Sequence, residues 1–125
     1  MRIDLTSEKP IFLQISDEIE EAILIGAFEE ETQVPSTTEI STRFKVNPAT
    51  VLKGMNLLAD EGIIYKKRGL GMFVKDGSRE EIRKKRYDSF YNNFVKNLID
   101  ESKKLGMDKE SIISMIERGY TDEQN

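Results

Sequence analysis

Three side chains that can hydrogen-bond to nucleic acid, Asn47, Thr50 and Lys53, lie within seven residues of one another. Asparagine pairs with the edge of adenine, threonine with a base or a phosphate, and lysine with guanine or a phosphate. Ala49 and Leu52 lie between them and can pack on a thymine methyl group. Asn47 and Thr50 also suit structural roles, as a helix cap and as a hydroxyl bonded to the first helical turn. The two roles are compatible, because a capping side chain still lies near an approaching phosphate.

The second candidate group is a basic turn with two glycines, made of Lys66, Lys67, Arg68, Gly69 and Gly71. β-branched and aromatic residues on both sides, 63–66 and 72–74, predict two strands joined by this turn. A flexible cationic tip of this kind can approach a phosphate backbone or a minor groove. A dinucleotide-binding loop would need a helix directly after the glycines, and residues 72–74 predict a strand there instead.

Two short helices joined by a tight turn are predicted to position the first group. Ser36 can cap the first helix, and Glu39 stands three residues later to complete a capping box. Asn47 can cap the second helix, with Pro48 at its first position and Gly62 placed to end it. This is the pattern of a helix-turn-helix, and the hairpin around the basic turn makes it a winged one.

A third helix over residues 10–26 is predicted to complete the core, because Ile15, Ile19 and Ile23 recur at helical spacing. The fold class is therefore mostly α with a small β-hairpin. An N-terminal winged helix-turn-helix over residues 1–76 is predicted to bind DNA, and a two-helix segment over residues 77–125 to dimerise.

The net charge of −4 is distributed unevenly along the chain. Residues 1–35 hold two basic and nine acidic side chains, residues 36–75 hold seven and three, and residues 76–125 hold ten and eleven. Because salt screens charges over about 8–10 Å, the local excess on residues 36–75 matters more than the total. The positive segment coincides with the predicted helix-turn-helix and wing, which favours nucleic acid as the partner.

Four motifs in this order resemble the GntR family of bacterial transcription regulators: residues 35–36 (PS), 47–51 (NPATV), 60–64 (DEGII) and 69–74 (GLGMFV). The resemblance covers about residues 9–75. It implies that the second helix of the motif enters the major groove. The family usually has Arg where Thr38 stands. The remaining residues predicted to contact DNA lie on the first helix of the motif: Ser36, Thr37, Thr38 and Arg43.

Two further helices are predicted after residue 77. Their expected start and stop residues are Ser78 with Glu81, Gly106, Asp108 and Gly119, leaving residues 121–125 as a frayed tail. The basic run at residues 83–86 is interpreted as a solvated helix face, with a second DNA-binding strip as the alternative.

Two helices cannot enclose all the apolar side chains of this tail, which would otherwise form a large exposed patch. The same surface on a second copy covers it most economically. The residues predicted to form this homodimer interface are Tyr87, Phe90, Tyr91, Phe94, Leu98, Ile112 and Ile116. A short helical tail of this kind resembles the YtrA-like subfamily, whose members are dimeric.

The sequence contains no cysteine and no histidine. This excludes disulfides, thiol nucleophiles, histidine acid–base chemistry and cysteine- or histidine-based zinc sites of its own, and neither an enzymatic activity nor a cofactor is predicted. No stretch approaches the roughly 20 apolar residues of a membrane span, and no secretion signal is evident. A cytoplasmic location is expected.

These observations predict a homodimeric DNA-binding transcription regulator, a repressor, that binds an inverted-repeat operator. The resemblance implies control of an operon for a transport system or a stress response. The sequence leaves open whether a small-molecule effector exists. The alternative is a winged-helix module that binds proteins and not DNA.

Overall fold

The computed structural model describes residues 1–122 and divides into two compact units, Met1–Lys85 and Arg86–Asn125. The elements of the first unit are α1 (Ile11–Leu24), α2 (Thr37–Phe44), α3 (Pro48–Asp60), β1 (Ile64–Lys67), β2 (Gly71–Val74) and the opening turns of α4 (Ser78–Phe90). The predicted fold class is confirmed: the chain is mostly helical with a two-stranded antiparallel hairpin. The assignment of DNA binding to residues 1–76 and of dimerisation to residues 77–125 stays a prediction.

The helix-turn-helix begins and turns where the local sequence indicates. Ser36 Oγ accepts a hydrogen bond from the backbone N–H of Glu39 at 3.0 Å, and Glu39 Oε1 accepts one from the N–H of Ser36 at 3.2 Å. Lys45 ends α2 in the left-handed region with φ of 55°. Asn47 Oδ1 then caps α3 by accepting from the N–H of Ala49 at 2.8 Å. Both predicted caps are confirmed.

The hairpin is extended on one side by the segment that precedes α2. The backbone N–H of Val34 donates to the carbonyl of Met72 at 2.9 Å, and that of Val74 donates to Thr32 at 3.0 Å. Gln33 pairs with Phe73 as an isolated antiparallel bridge. Residues 32–34 therefore lie along β2 and support the wing from one side.

The core of the first unit is apolar and closed. Gly54 permits a close approach between α1 and α3, because a Cβ built on it would lie 2.6 Å from the backbone oxygen of Phe12. Burying this many aliphatic side chains is the main source of stability for a domain of this size. The buried apolar residues within residues 1–122 are Ile15, Ile19, Ile23, Val34, Ile40, Val46, Val51, Met55, Leu58, Ile63, Ile64, Val74 and Ile82.

The opening turns of α4 pack into this core. Ile82 is fully buried, and Ser78 Oγ donates to the carbonyl oxygen of Ile63 at 2.6 Å. The predicted capping box of Ser78 with Glu81 is wrong, because Ser78 is the first helical residue and its hydroxyl bonds to the core. The N–H of Glu81 bonds instead to the carbonyl of Gly77 at 3.2 Å.

The second unit continues from α4 through a π-helical turn, Tyr91–Val95, into α5 (Lys96–Lys104), followed by α6 (Lys109–Asp122). Gly106 takes φ of 70° after α5, and Asp108 Oδ1 caps α6 by accepting from the N–H of Ser111 at 2.9 Å. The prediction that Gly119 ends α6 is wrong, since the helix continues through it to Asp122. Of the predicted frayed tail, residues 121–122 are helical, and residues 123–125 lie outside the described residues.

Of the helices in residues 1–122, none combines the length and apolar character needed to cross a membrane.

Candidate nucleic-acid interface

The amino-terminal turns of α3 present one face to the core and the other to solvent. Val51 is fully buried, with Met55 and Leu58 behind it on the same face. Leu52 is 49% exposed, and Thr50 is half-buried at the edge of the solvent face. The exposed residues that the sequence singled out here are Asn47, Pro48, Ala49, Leu52 and Lys53.

The first turn of α3 satisfies its own backbone. The N–H groups of Thr50 and Val51 both donate to the carbonyl oxygen of Asn47, at 2.9 and 3.2 Å. Pro48 has no N–H, and the N–H of Ala49 is bonded to the Asn47 side chain. The side-chain nitrogen of Asn47 makes no hydrogen bond within residues 1–122, so it can donate to an acceptor from outside the chain.

Lys53 is held by an aromatic ring that the sequence did not connect to it. Its Nζ lies 4.1 Å from the ring centroid of Phe12 on α1, within the range of a cation–π contact. Because 41 positions separate Phe12 from Lys53, no local sequence pattern signals the pair. An open groove of about 410 Å³ runs beside this contact, lined by Phe12, Ala49, Leu52, Lys53, Asn56, Leu57 and Asp60.

The start of α2 offers backbone donors beside the capping box. Thr38 is exposed and Thr37 is half-buried, and their N–H groups have no hydrogen-bond partner in the described part of the chain. Free N–H groups at a helix start bind phosphate. Arg43 lies at the other end of this helix, with its guanidinium 5.3 Å from the ring centroid of Phe44. The structure therefore separates Arg43 from the group at the start of α2.

The tip of the wing is a tight turn. The N–H of Leu70 donates to the carbonyl of Lys67 at 2.9 Å, and Gly69 takes φ of 79°, as the third residue of a type II turn does. Lys66 and Arg68 are exposed. Lys67 is half-buried, with its Nζ 4.3 Å from the ring centroid of Phe73, so the three cations of the turn do not face solvent equally.

Gln33 clamps this turn from the neighbouring segment. Its Nε2 donates to the carbonyl oxygen of Leu70 at 2.7 Å. Gly71 has φ of 118°, a conformation that disfavours any L side chain, and a Cβ built on it would lie 2.6 Å from the same nitrogen, so that the Gln33 side chain would have to move. No sequence pattern connects Gln33 with the wing, since Gln33 lies 37 residues from Leu70.

The base of the wing is tied to the loop before α2. Tyr65 donates its hydroxyl to Glu31 Oε2 at 2.6 Å, and this hydrogen bond, with burial and the carboxylate charge, raises the pKa of Tyr65. Glu31 Oε1 accepts from the backbone N–H of Asp76 at 3.1 Å. Glu30 accepts from the N–H of Gly77, which lowers the pKa of Glu30. The acidic residues of this loop thus support the wing.

The basic run at residues 83–86 is partly neutralised. Lys85 Nζ lies 3.2 Å from Glu20 Oε2 and 3.4 Å from Glu61 Oε2. Burial opposes the charged form of Lys85, but the two carboxylates outweigh it and its pKa is raised. Arg83 pairs with Glu80 at 2.9 Å. These ion pairs favour the interpretation of a solvated helix face over a second DNA-binding strip.

The residues predicted for dimerisation are open to solvent in the single chain. Tyr87 is 81% exposed, and the rings of Phe90 and Phe94 contact each other at a tilt of 40°, with centroids 5.3 Å apart. Ile112 is half-buried. The other exposed members of the predicted set are Tyr91, Leu98 and Ile116.

A three-helix core that exposes the start of its last helix, followed by a hairpin with a basic tip, defines the winged helix-turn-helix class of DNA-binding proteins. The family model described as "Bacterial regulatory proteins, gntR family" matches residues 12–74. The chain therefore belongs to the GntR family, whose members are DNA-binding transcription regulators and not enzymes. This confirms the family that the four motifs indicated.

Two relatives from Bacillus subtilis (strain 168) illustrate the similarity. The HTH-type transcriptional regulator YhcF is 29% identical over 88% of this chain and 89% of its own length. The HTH-type transcriptional repressor YtrA is 34% identical over 63% of this chain and 61% of its own length.

Two solved structures are similar to this chain over different shares of its length. A GntR family transcriptional regulator from Listeria monocytogenes has 29% identity and a TM-score of 0.72, with 91% of this chain and 98% of that one covered. The DNA-binding domain of AraR, solved in complex with the operator ORX1, has 28% identity and a TM-score of 0.53, with 59% and 92% covered.

Proposed function

We propose that this chain is a homodimeric repressor that binds an inverted-repeat operator. The observation that carries the proposal is the exposure of the aromatic and aliphatic residues on the second unit, with Tyr87 at 81% as the extreme. A soluble monomer rarely leaves a contiguous apolar patch of this kind open. A second copy supplies the same surface in a two-fold arrangement, with each residue facing its counterpart or near neighbour.

The DNA contacts divide by the kind of atom they reach. The start of α3 enters the major groove, where Thr50 and Lys53 contact base edges or phosphates and Leu52 with Ala49 packs on thymine methyl groups. The start of α2 binds phosphate through the N–H groups of Thr37 and Thr38. The wing contributes Lys66 and Arg68, with Lys67 more withdrawn, as backbone or minor-groove contacts.

The sign of regulation comes from a relative. YtrA of Bacillus subtilis carries the word repressor in its name, and a dimer on an inverted repeat is suited to blocking a promoter. The resemblance to the YtrA-like subfamily leads us to propose that the regulated genes encode a transport system or a stress response. A small-molecule effector would bind at the dimer interface or beside the wing.

DNase footprinting on the region upstream of the chain's own gene tests the proposal. Two copies of α3 related by a two-fold axis protect an inverted repeat, with half-sites about one helical turn, or a multiple of it, apart. The expected result is a symmetric footprint that saturates at two chains per site. Protection of a single asymmetric half-site by one chain contradicts the homodimer.

A pair of matched variants tests whether Lys53 on α3 contacts DNA. Lys53→Ala removes an exposed cation from α3 and should cost about 1–3 kcal/mol of operator affinity if Lys53 contacts a base edge. Because it also removes the contact with Phe12, it should lower the melting temperature by a few degrees and no more. Lys84→Ala removes an exposed cation from α4 and should change neither quantity. Fluorescence anisotropy at fixed salt measures the operator affinities, and thermal melts measure the melting temperatures. Wild-type affinity in Lys53→Ala would assign Lys53 to the solvated surface.

A further inference from the structure

We infer that Phe12, which lies outside the helix-turn-helix, is a positioning residue for DNA binding, because its ring holds Lys53 in the orientation in which α3 presents it to the major groove. This inference rests on the proposed function of Lys53 as a DNA contact. It adds a residue of α1 to the DNA-reading machinery.

Helices α1 and α3 approach each other closely at Gly54. A Cβ at Gly54 would lie 2.6 Å from the backbone oxygen of Phe12 and 3.2 Å from the side chain of Ile15. Because Gly54 has no side chain, α1 passes directly against α3 at this point. The Phe12 ring is thereby placed beside the residue next to Gly54 in sequence, which is Lys53.

The contact between Lys53 and Phe12 leaves the charge of the lysine available to DNA. Nζ of Lys53 lies 4.1 Å from the ring centroid of Phe12, and Lys53 has no salt bridge within residues 1–122. Asp60 lines the same groove without pairing with it. A carboxylate in the position of the ring would neutralise the lysine and repel phosphate. An aromatic face attracts the ammonium group through its quadrupole and leaves the positive charge available to DNA.

The contact with Phe12 also restricts the rotamers of Lys53 before DNA binds. A free lysine side chain loses rotamer freedom when it is fixed at an interface, and this loss weakens binding. A lysine that already rests on a ring has lost part of that freedom before DNA arrives. Removing the ring should therefore lower the affinity for DNA only when Lys53 is present to be positioned.

A double-mutant cycle on the full-length chain tests this dependence. Phe12→Leu should weaken binding to a labelled duplex carrying the chain's own upstream region about three- to ten-fold. In the Lys53→Ala background, the same substitution should have no effect. In the Lys66→Ala background, it should again cost three- to ten-fold, because Lys66 does not contact the ring. Phe12→Tyr keeps an aromatic face and should bind as wild type does.

A second readout does not depend on DNA. The Hε resonances of Lys53 should be shifted upfield by the ring current of Phe12 in the free protein, and the shift should disappear in Phe12→Leu. Equal losses from Phe12→Leu with and without Lys53 would overturn the inference, since they indicate a general packing effect. Tighter binding by Phe12→Leu, or no upfield shift in wild type, would also overturn it. Wild-type binding by Lys53→Ala would remove the DNA contact itself, and with it both this inference and the proposed role of Lys53.

Discussion

Met1–Lys85 encloses thirteen buried apolar side chains, whereas in the described part of Arg86–Asn125 only Ser102 is buried. The first unit surrounds its core with three helices, a hairpin and the opening turns of α4. The second unit is helical but presents its rings, Phe90 and Phe94 among them, to solvent. Helices of similar length therefore bury their apolar side chains in the first unit and expose them in the second.

The difference indicates what each unit requires to fold. An isolated helix of this length is marginal in water, and tertiary packing of its apolar face supplies most of its stability. The first unit contains that packing within one chain. The second unit must obtain it from another surface, which the proposed homodimer provides.

Removing the second unit should have the largest effect. We expect a chain ending at Lys85 to stay folded, because it retains Ile82 and the contacts of Ser78, and to sediment as a monomer. The two DNA-binding units would then no longer be joined in a dimer, and operator binding should weaken about 10²- to 10⁴-fold. Analytical ultracentrifugation and anisotropy titrations measure the two effects. A stable dimer of the shortened chain would place the interface in the first unit.

Two glycine substitutions separate a closed core from an open helix. Gly54→Ala forces a Cβ against the backbone of Phe12 and should destabilise the first unit by about 1–3 kcal/mol. Gly119→Ala lies in α6, where the added Cβ meets no atom of residues 1–122 within 4 Å beyond the adjacent helix backbone, and it should stabilise its helix by about 0.5–1 kcal/mol. Thermal and urea unfolding measure both changes. Destabilisation by Gly119→Ala would mean that a partner chain packs closely against α6.

Two exposed apolar residues test whether exposure in the single chain means exposure in the assembly. Phe94→Ala should weaken the free energy of dimerisation by about 1–2 kcal/mol if the ring lies in the interface. Leu5→Ala, at 67% exposure in the first unit, should leave dimerisation unchanged. Sedimentation over a concentration series compares the variants with wild type. Equal behaviour of the two variants would leave the aromatic face without a partner.

The smallest expected effect is an acid-dependent loss of α6. Backbone and side-chain hydrogen bonds from Ser111 lower the pKa of Asp108 below its ordinary value of 3.8. A lowered carboxyl pKa stabilises the folded form above 3.8, and that stabilisation is lost as the pH falls through the folded-state pKa. Asp108→Asn keeps a capping oxygen without the titration. The difference between the two proteins in far-UV circular dichroism during acid titration should be confined to this window.

The sequence predicted the features that are decided within a few residues. Ser36 with Glu39 and Asn47 with Pro48 are local signals, and both caps form as expected. Ser78 and Gly119 were misassigned for a physical reason. The Ser78 hydroxyl bonds to Ile63, fifteen residues away, and a glycine ends a helix only when it leaves helical φ, which Gly119 does not do.

The side chains that hold the candidate DNA-contacting residues in place could not be predicted from the sequence. Phe12 reaches Lys53, and Gln33 reaches Leu70, only because the fold brings distant segments together. Composition and periodicity assign such residues to a core stripe or to a loop. The residues proposed to touch DNA could be suggested from sequence, but the side chains that hold them required the structure.

The hydrogen bond between Tyr65 and Glu31 also has an optical consequence. The chain has four tyrosines and no tryptophan, and Tyr65 is the one tyrosine in residues 1–85. In a chain ending at Lys85, all intrinsic fluorescence above that of phenylalanine therefore comes from the base of the wing. A phenol that donates to a carboxylate changes its emission when that bond breaks. The first unit thus carries its own unlabelled reporter for any movement of the wing against the loop of residues 29–31.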